Sequence, residues 1–254
     1  ELQSPDHLVC RLLLEKILAL DSSGLVASVA IASEDSLLAE YTVNYKKTHS
    51  QTLLPMLDEI VSMVELDMSQ VDAIAITSGP GSFTGLRIGA ATAKGLGLAL
   101  NKPIIGVPTI DALAYSLYGT HMIVCPIMDA RRNQVYTGLY EFVENELVVI
   151  SQQKVVDIDE IIEEINLTGR ETIFLGDGVP IQKERIASRI GVKYSFAPLH
   201  MNRQRAGSVA ALGFQYYKKG LVETAAEHQP TYLRMSQAER ERAERLKNKQ
   251  ANKS

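Results

Sequence analysis

Two stretches of this chain carry residue types suited to handling a phosphate. In Asp21-Ser22-Ser23-Gly24, an aspartate stands at the end of an apolar run, with small hydroxyl residues and a glycine behind it. Such a turn can offer backbone amides to a phosphate and a carboxylate to magnesium. An ordinary hairpin turn uses the same residues. The second stretch is Gly79-Pro80-Gly81-Ser82-Phe83-Thr84-Gly85-Leu86-Arg87-Ile88-Gly89, a glycine-rich turn opening a helix, and helix N-terminal amides attract anions. Its spacing departs from the usual cradles. No Lys-Ser or Lys-Thr pair follows Gly85 as a P-loop requires, and position 84, where a dinucleotide fingerprint has its third glycine, is threonine.

Other chemistries find less support. His7, His49, His121, His200 and His228 are scattered, without an H-x-x-x-H pair, so no metal centre is expected. Cys125 lies inside an apolar run and reads as packing. Ser82 has no G-x-S-x-G elbow around it. No catalytic set assembles, and no cofactor is expected.

These residues need a scaffold, and its pattern is α/β. Residues 17–20, 26–32 and 37–43 read as an antiparallel meander. From His49, Leu53, Leu57, Ile60, Val61 and Val64 share a helix face, with Leu54, Met56 and Met63 off it and Pro55 in the first turn or at a kink. His49 reads as a capping or hydrogen-bonding residue. Val71 to Ile76 form a strand, and a helix spans residues 83–100. In it Gly85, Gly89, Ala93 and Gly97 fall four apart and line one stripe. That stripe admits either its own sheet or a partner helix. A strand over 104–107 and a helix over 109–118 end a first lobe.

A second unit then repeats the order strand, aspartate at a turn, strand: 122–128, Asp129-Ala130-Arg131-Arg132-Asn133, and 134–142. Strands over 147–151 and 155–156, a helix over 158–165, a strand over 172–175 and helices over 181–190 and 206–219 complete it. The expected division is an extension at 1–16, a first lobe at 17–115, a second at 116–234 with helix 206–219 packed back on the first, and a charged tail at 235–254. From Gln237 that tail holds six basic and three acidic residues, as in a solvated helix or an RNA-contacting end.

The chain has 254 residues, 46% of them hydrophobic, with no apolar run of membrane length. A net charge of -4 gives no global nucleic-acid footprint. Cys10 and Cys125 are too few for a disulfide framework, which suits the cytoplasm. Arg11, Glu15 and Lys16 interrupt the apolar positions of the first segment, against a signal peptide.

Four segments, ILALDSS, GPGSFTGLRIG, MDARRNQVYTGLY and PTYLR, together resemble the TsaB (YeaZ) family from Ile17 to Arg234. The resemblance implies the two-lobed fold of actin, Hsp70 and sugar kinases, with a degenerate nucleotide site. It also implies a non-catalytic role beside TsaD in making threonylcarbamoyladenosine next to the tRNA anticodon, with TsaE as a further partner and a homodimer when TsaD is absent. Contact with tRNA would be indirect or weak. TsaD carries a metal-binding H-x-x-x-H pair; Thr109 and Leu113 stand at the corresponding positions here. The second phosphate loop of the fold is glycine-rich, whereas here it reads Asp129-Ala130-Arg131-Arg132. The interface carried over from the family is His49, Leu53, Leu57, Ile60, Val64, Phe83, Gly85, Arg87, Gly89, Ala93 and Gly97. Competing expectations are an actin-like ATPase or phosphotransferase using Asp21 and Asp129, and a glycoprotease-like peptidase.

Overall fold

Ile17, Leu18, Ala19 and Leu20 have no solvent-exposed surface, the mark of a strand covered on both faces. They belong to β1 (Lys16–Asp21), in a computed structural model that describes residues 16–45 and 48–234. Lys16 is part of this strand rather than of an extension, and its amide donates to Asp72 Oδ2 at 2.9 Å. The rest of the N-terminal segment and the charged tail lie outside the described residues.

Around β1 stand β2 (Ala27–Ser33), β3 (Leu37–Val43), β4 (Ala73–Gly79) and β5 (Ile104–Pro108), in the order β3-β2-β1-β4-β5. The first three are antiparallel neighbours, and β4 and β5 run parallel to β1. The second sheet repeats this plan strand for strand. Here β6 (Ile123–Asp129) is central, flanked by antiparallel β7 (Gln134–Val143) and β8 (Glu146–Asp157) and by parallel β9 (Thr172–Leu175) and β10 (Tyr194–Phe196). The strands expected over 147–151 and 155–156 are one continuous β8, because it pairs along the whole of β7 through register shifts. The short edge strand β10 gave no sequence signal of its own.

Helices fall at matching places in the two lobes. On one face of the first sheet lie α1 (His49–Met63) and α2 (Phe83–Leu100). The equivalents on the second sheet are α4 (Ile158–Thr168), opened by an Asp157–Glu160 capping box, and α5 (Val179–Arg189). Pro55 sits mid-helix in α1, past the first turn.

The third helix of each lobe crosses over. Ile110, Leu113 and Ala114 of α3 (Thr109–Tyr115) pack on Val124, Met128 and Tyr140 of the second sheet. Val209, Ala210 and Phe214 of α6 (Ala206–Lys218) pack on Ile17, Ala19 and Ala75 of the first. The N-terminus of α6 is held by the first lobe, since Ser28 Oγ accepts from the Ala206 amide and Glu40 Oε1 from that of Gly207, each at 2.9 Å. At the crossing, Asp111 of α3 accepts from Tyr140 Oη of β7 at 2.8 Å and Tyr216 Oη of α6 at 3.1 Å. This duplicated, helix-exchanging α/β architecture is the two-lobed actin-like fold.

Candidate functional site

The β1–β2 turn, where a phosphate would be held, is occupied by the chain itself. Asp21 is 1% exposed, and its Oδ1 accepts from the Ser23 amide (2.9 Å), Ser23 Oγ (2.6 Å) and Thr77 Oγ1 (3.2 Å). Burial raises its pKa, outweighing these hydrogen bonds. Above the turn sits the start of α2. The Ser82 amide donates to Ser23 O at 2.6 Å, and Ser22 Oγ donates to Gly85 O at 2.9 Å. A Cβ on Gly81 would lie 2.3 Å from Ser23 O, one on Gly85 2.1 Å from Ser22 O, and one on Gly89 2.2 Å from Ser22 Oγ. Gly81, Gly85 and Gly89 of GPGSFTGLRIG therefore make room for the turn of ILALDSS. Two motifs sixty residues apart make one interlocked unit, and the turn's carbonyls face α2.

The other two motifs meet the same place. At the end of β4, Gly79 has φ 117°, and a Cβ there would lie 2.2 Å from Thr231 O. The Thr231 amide donates to Ser78 O at 2.6 Å. Tyr232 stacks on Phe83 with centroids 4.6 Å apart, and Arg234 Nη1 donates to Ala130 O at 2.5 Å. Residues 230–234 thus strap the first lobe to the β6–β7 turn of the second. In that turn Arg131, Arg132 and Asn133 all have left-handed backbones (φ 64°, 56° and 61°), and Asp129 Oδ1 accepts from the Arg131 amide at 2.8 Å. Asp129 is exposed, its own amide donating to Asp177 Oδ1 at 3.2 Å. Burial raises the Asp177 pKa against the pull of this bond and of Arg203. The strap is the element that sequence reasoning underused: PTYLR was visible, but its role as a bridge depends on contacts with residues a hundred and more positions away.

The Ser82 hydroxyl caps α2, accepting from the Gly85 amide at 3.3 Å. Burial pushes the Cys125 thiol up to about 12.

The expected interface residues divide into two groups. Gly85, Gly89, Ala93 and Gly97 face inward: a Cβ on Gly97 would meet Ala225, Ile104 and Lys102, and Ala93 is fully buried. Leu53, Leu57 and Ile60 are buried in the same core. These residues are not available to a partner, because the stripe of small residues lets α2 lie close on its own sheet and turn. His49 is half-buried, its Nε2 2.9 Å from Gly24 O, so it bonds its own chain. Val64 and Phe83 are partly buried and Arg87 is exposed, its guanidinium 4.1 Å from the Phe83 ring centre.

What α1 and α2 show to solvent is a different stripe. On α2 it runs Thr84, Arg87, Ala91, Gly95, Leu98; on α1 it includes Leu54, Pro55, Asp58 and Met63. Leu54 is 53% exposed, Met63 74% and Leu98 66%. Gly95 has nothing within 4 Å of a built Cβ. The off-face residues Leu54 and Met63 were the sequence signal for this surface; Met56, grouped with them, is instead core.

Comparison with known proteins places the chain in a family. A family model described as "TsaD: tRNA N6-adenosine threonylcarbamoyltransferase" matches residues 36–242. The tRNA threonylcarbamoyladenosine biosynthesis protein TsaB of Bacillus subtilis is 33% identical over 227 residues, spanning 88% of this chain and 96% of that one. The chain belongs to the TsaB family. TsaB of Escherichia coli is 35% identical over 133 residues, about half of each chain (51% and 57%). YeaZ from Pseudomonas aeruginosa superposes with a TM-score of 0.70 at 27% identity, covering 86% of this chain and all of that one. Thr109 and Leu113 of α3, which the resemblance set against a metal-binding histidine pair, are both buried. Neither side chain substitutes for an imidazole.

Proposed function

We propose that this chain is the non-catalytic partner of a TsaD subunit in making threonylcarbamoyladenosine in tRNA. It docks on TsaD through the outward face of α1 and α2, and through the same face on a second copy of itself when TsaD is absent. TsaE, the ATPase of the system, joins in a larger assembly, and the work belongs to the cytoplasm. The relatives' names support the pathway.

The observation that carries the docking reading is the solvent-facing stripe. Two adjacent helices carry it, with Leu54 and Met63 exposed on α1, and Leu98 exposed beside the small residues Ala91 and Gly95 on α2. Small residues allow a second helix pair to approach closely, and clustered exposed apolar side chains mark interaction surfaces. The non-catalytic reading is supported by the interlocked β1–β2 turn. An ATPase using Asp21 and Asp129 needs Asp21 free for magnesium, yet Asp21 Oδ1 already takes three hydrogen bonds in a buried site.

Reconstitution tests the role. Cognate TsaD and TsaE, threonylcarbamoyl-adenylate and a tRNA transcript should form the modified nucleoside, read by mass spectrometry of the digest, when this chain is added. Omitting it should drop product to background, and the chain alone should make none. Equal product without the chain, or product from the chain alone, contradicts the proposal.

A further inference from the structure

We infer that Arg131, Arg132, Arg234 and the exposed ring of Tyr232 form a contact surface for the phosphate backbone and a base of single-stranded RNA. The inference rests on the preceding reading in that it takes tRNA as the RNA concerned.

The residues are joined by direct contacts. Arg87 lies over Phe83, Phe83 stacks on Tyr232, and two residues on, Arg234 reaches Ala130 O at the base of the turn that carries Arg131 and Arg132. The result is a basic strip that starts at the edge of the docking face and runs along the strap to the tip of the β6–β7 turn. Its charge is uncommitted. Arg170, Arg185, Arg189 and Arg205 each pair with a carboxylate, whereas among the described residues Arg87, Arg131, Arg132 and Arg234 have no ion pair. At the turn itself Asp129 accepts from the Arg131 amide and Asp177 lies beneath it, bonded to the Asp129 amide.

The turn also keeps side chains where glycine would fit with less strain. Three successive left-handed residues are rare outside glycine, asparagine and aspartate, and two of the three here are arginines projecting into solvent. Backbone strain held at a loop tip points to what the side chains do. Guanidinium forks match phosphate oxygens.

RNA fits better than an acidic protein because of the ring. Tyr232 is 39% exposed and supported from behind by Phe83, which is how bases are stacked by single-strand binders. A protein interface would be expected to present an apolar core, and this strip offers arginines and one aromatic face.

The test is fluorescence anisotropy of a fluorescein-labelled, unmodified tRNA transcript titrated with the whole chain over a series of salt concentrations. Wild type should bind with a steep salt dependence. Arg131→Ala/Arg132→Ala should reduce the log–log slope by about 1.4–1.8, the loss of two phosphate contacts, while Arg131→Lys/Arg132→Lys restores most of it. Tyr232→Ala should weaken binding about tenfold with little change in slope. No binding by wild type, or an unchanged slope in the double alanine variant, overturns the inference. Displacement of the transcript by polyglutamate at matched charge assigns the strip to an acidic protein and likewise overturns it. Arg131 and Arg132 lie off the docking face, so the double variant should still associate with cognate TsaD. If the complex forms and RNA is not bound, this inference alone fails; if wild type does not associate with TsaD, the preceding reading fails.

Discussion

At the scale of single residues, the glycines of α2 sort by what a methyl group would meet. Gly85 has a backbone oxygen 2.1 Å from its built Cβ, and Gly95 has open space. Gly85→Ala should therefore cost about 1–3 kcal/mol through forced backbone movement, while Gly95→Ala should gain up to about 1 kcal/mol from helix propensity. Urea melts of the two variants check this. Asp21 makes a second prediction. Its folded pKa lies above the ordinary 3.8 because burial dominates, so the folded state keeps a proton that the unfolded chain releases. Its contribution is most favourable below 3.8 and is lost as pH rises through the folded value. Asp21→Asn keeps an Oδ1 to accept from Ser23 and Thr77, and should remove that part of the pH dependence, seen as a shallower fall in stability between acid and neutral pH. The sequence announced Asp21 and Gly85 as important residues. It could not say that the turn and the helix serve each other, because Gly85 meets the carbonyl oxygen of Ser22, a backbone atom that no side-chain pattern encodes.

At the scale of elements, the helices and most strands were legible because their periodicities are clean: β1 and β4 as apolar runs, α1 and α2 as helical faces. The weakness lay in which face of α2 looks outward. Two stripes coexist on that helix, one of residues four apart and small, the other through Ala91, Gly95 and Leu98. Smallness alone reads equally as a partner seam or as close packing on the helix's own sheet, and only the position of the β1–β2 turn decides between them. The crossing of α3 and α6 was hidden for a similar reason, since an apolar helix face does not name the sheet it covers. Asp111 ties that crossing together. Asp111→Ala leaves the Tyr140 and Tyr216 hydroxyls without their acceptor in a partly buried site and should cost about 1–3 kcal/mol, read as a lower melting temperature.

At the scale of the whole molecule, the duplicated plan that the two aspartate turns hinted at is realised strand for strand, and the two lobes meet at a junction. Residues 230–234 tie Ser78 to Ala130 across it, and the phosphate turn of the first lobe is interlocked with α2. Magnesium-ATP at about 1 mM should shift the melting temperature by no more than about 2 °C, as expected when Kd is not below the ligand concentration. A large shift that disappears in Asp21→Ala would restore the enzyme reading. The most direct measurement is association with cognate TsaD by light scattering, for wild type and for Leu98→Glu, a change at a 66% exposed position that leaves the core untouched. Docking through this face predicts a heterodimer for wild type and at least about tenfold weaker association for a variant that melts as wild type does, the size expected for an interface anchor. A Leu98→Glu chain that binds TsaD as tightly as wild type would contradict it.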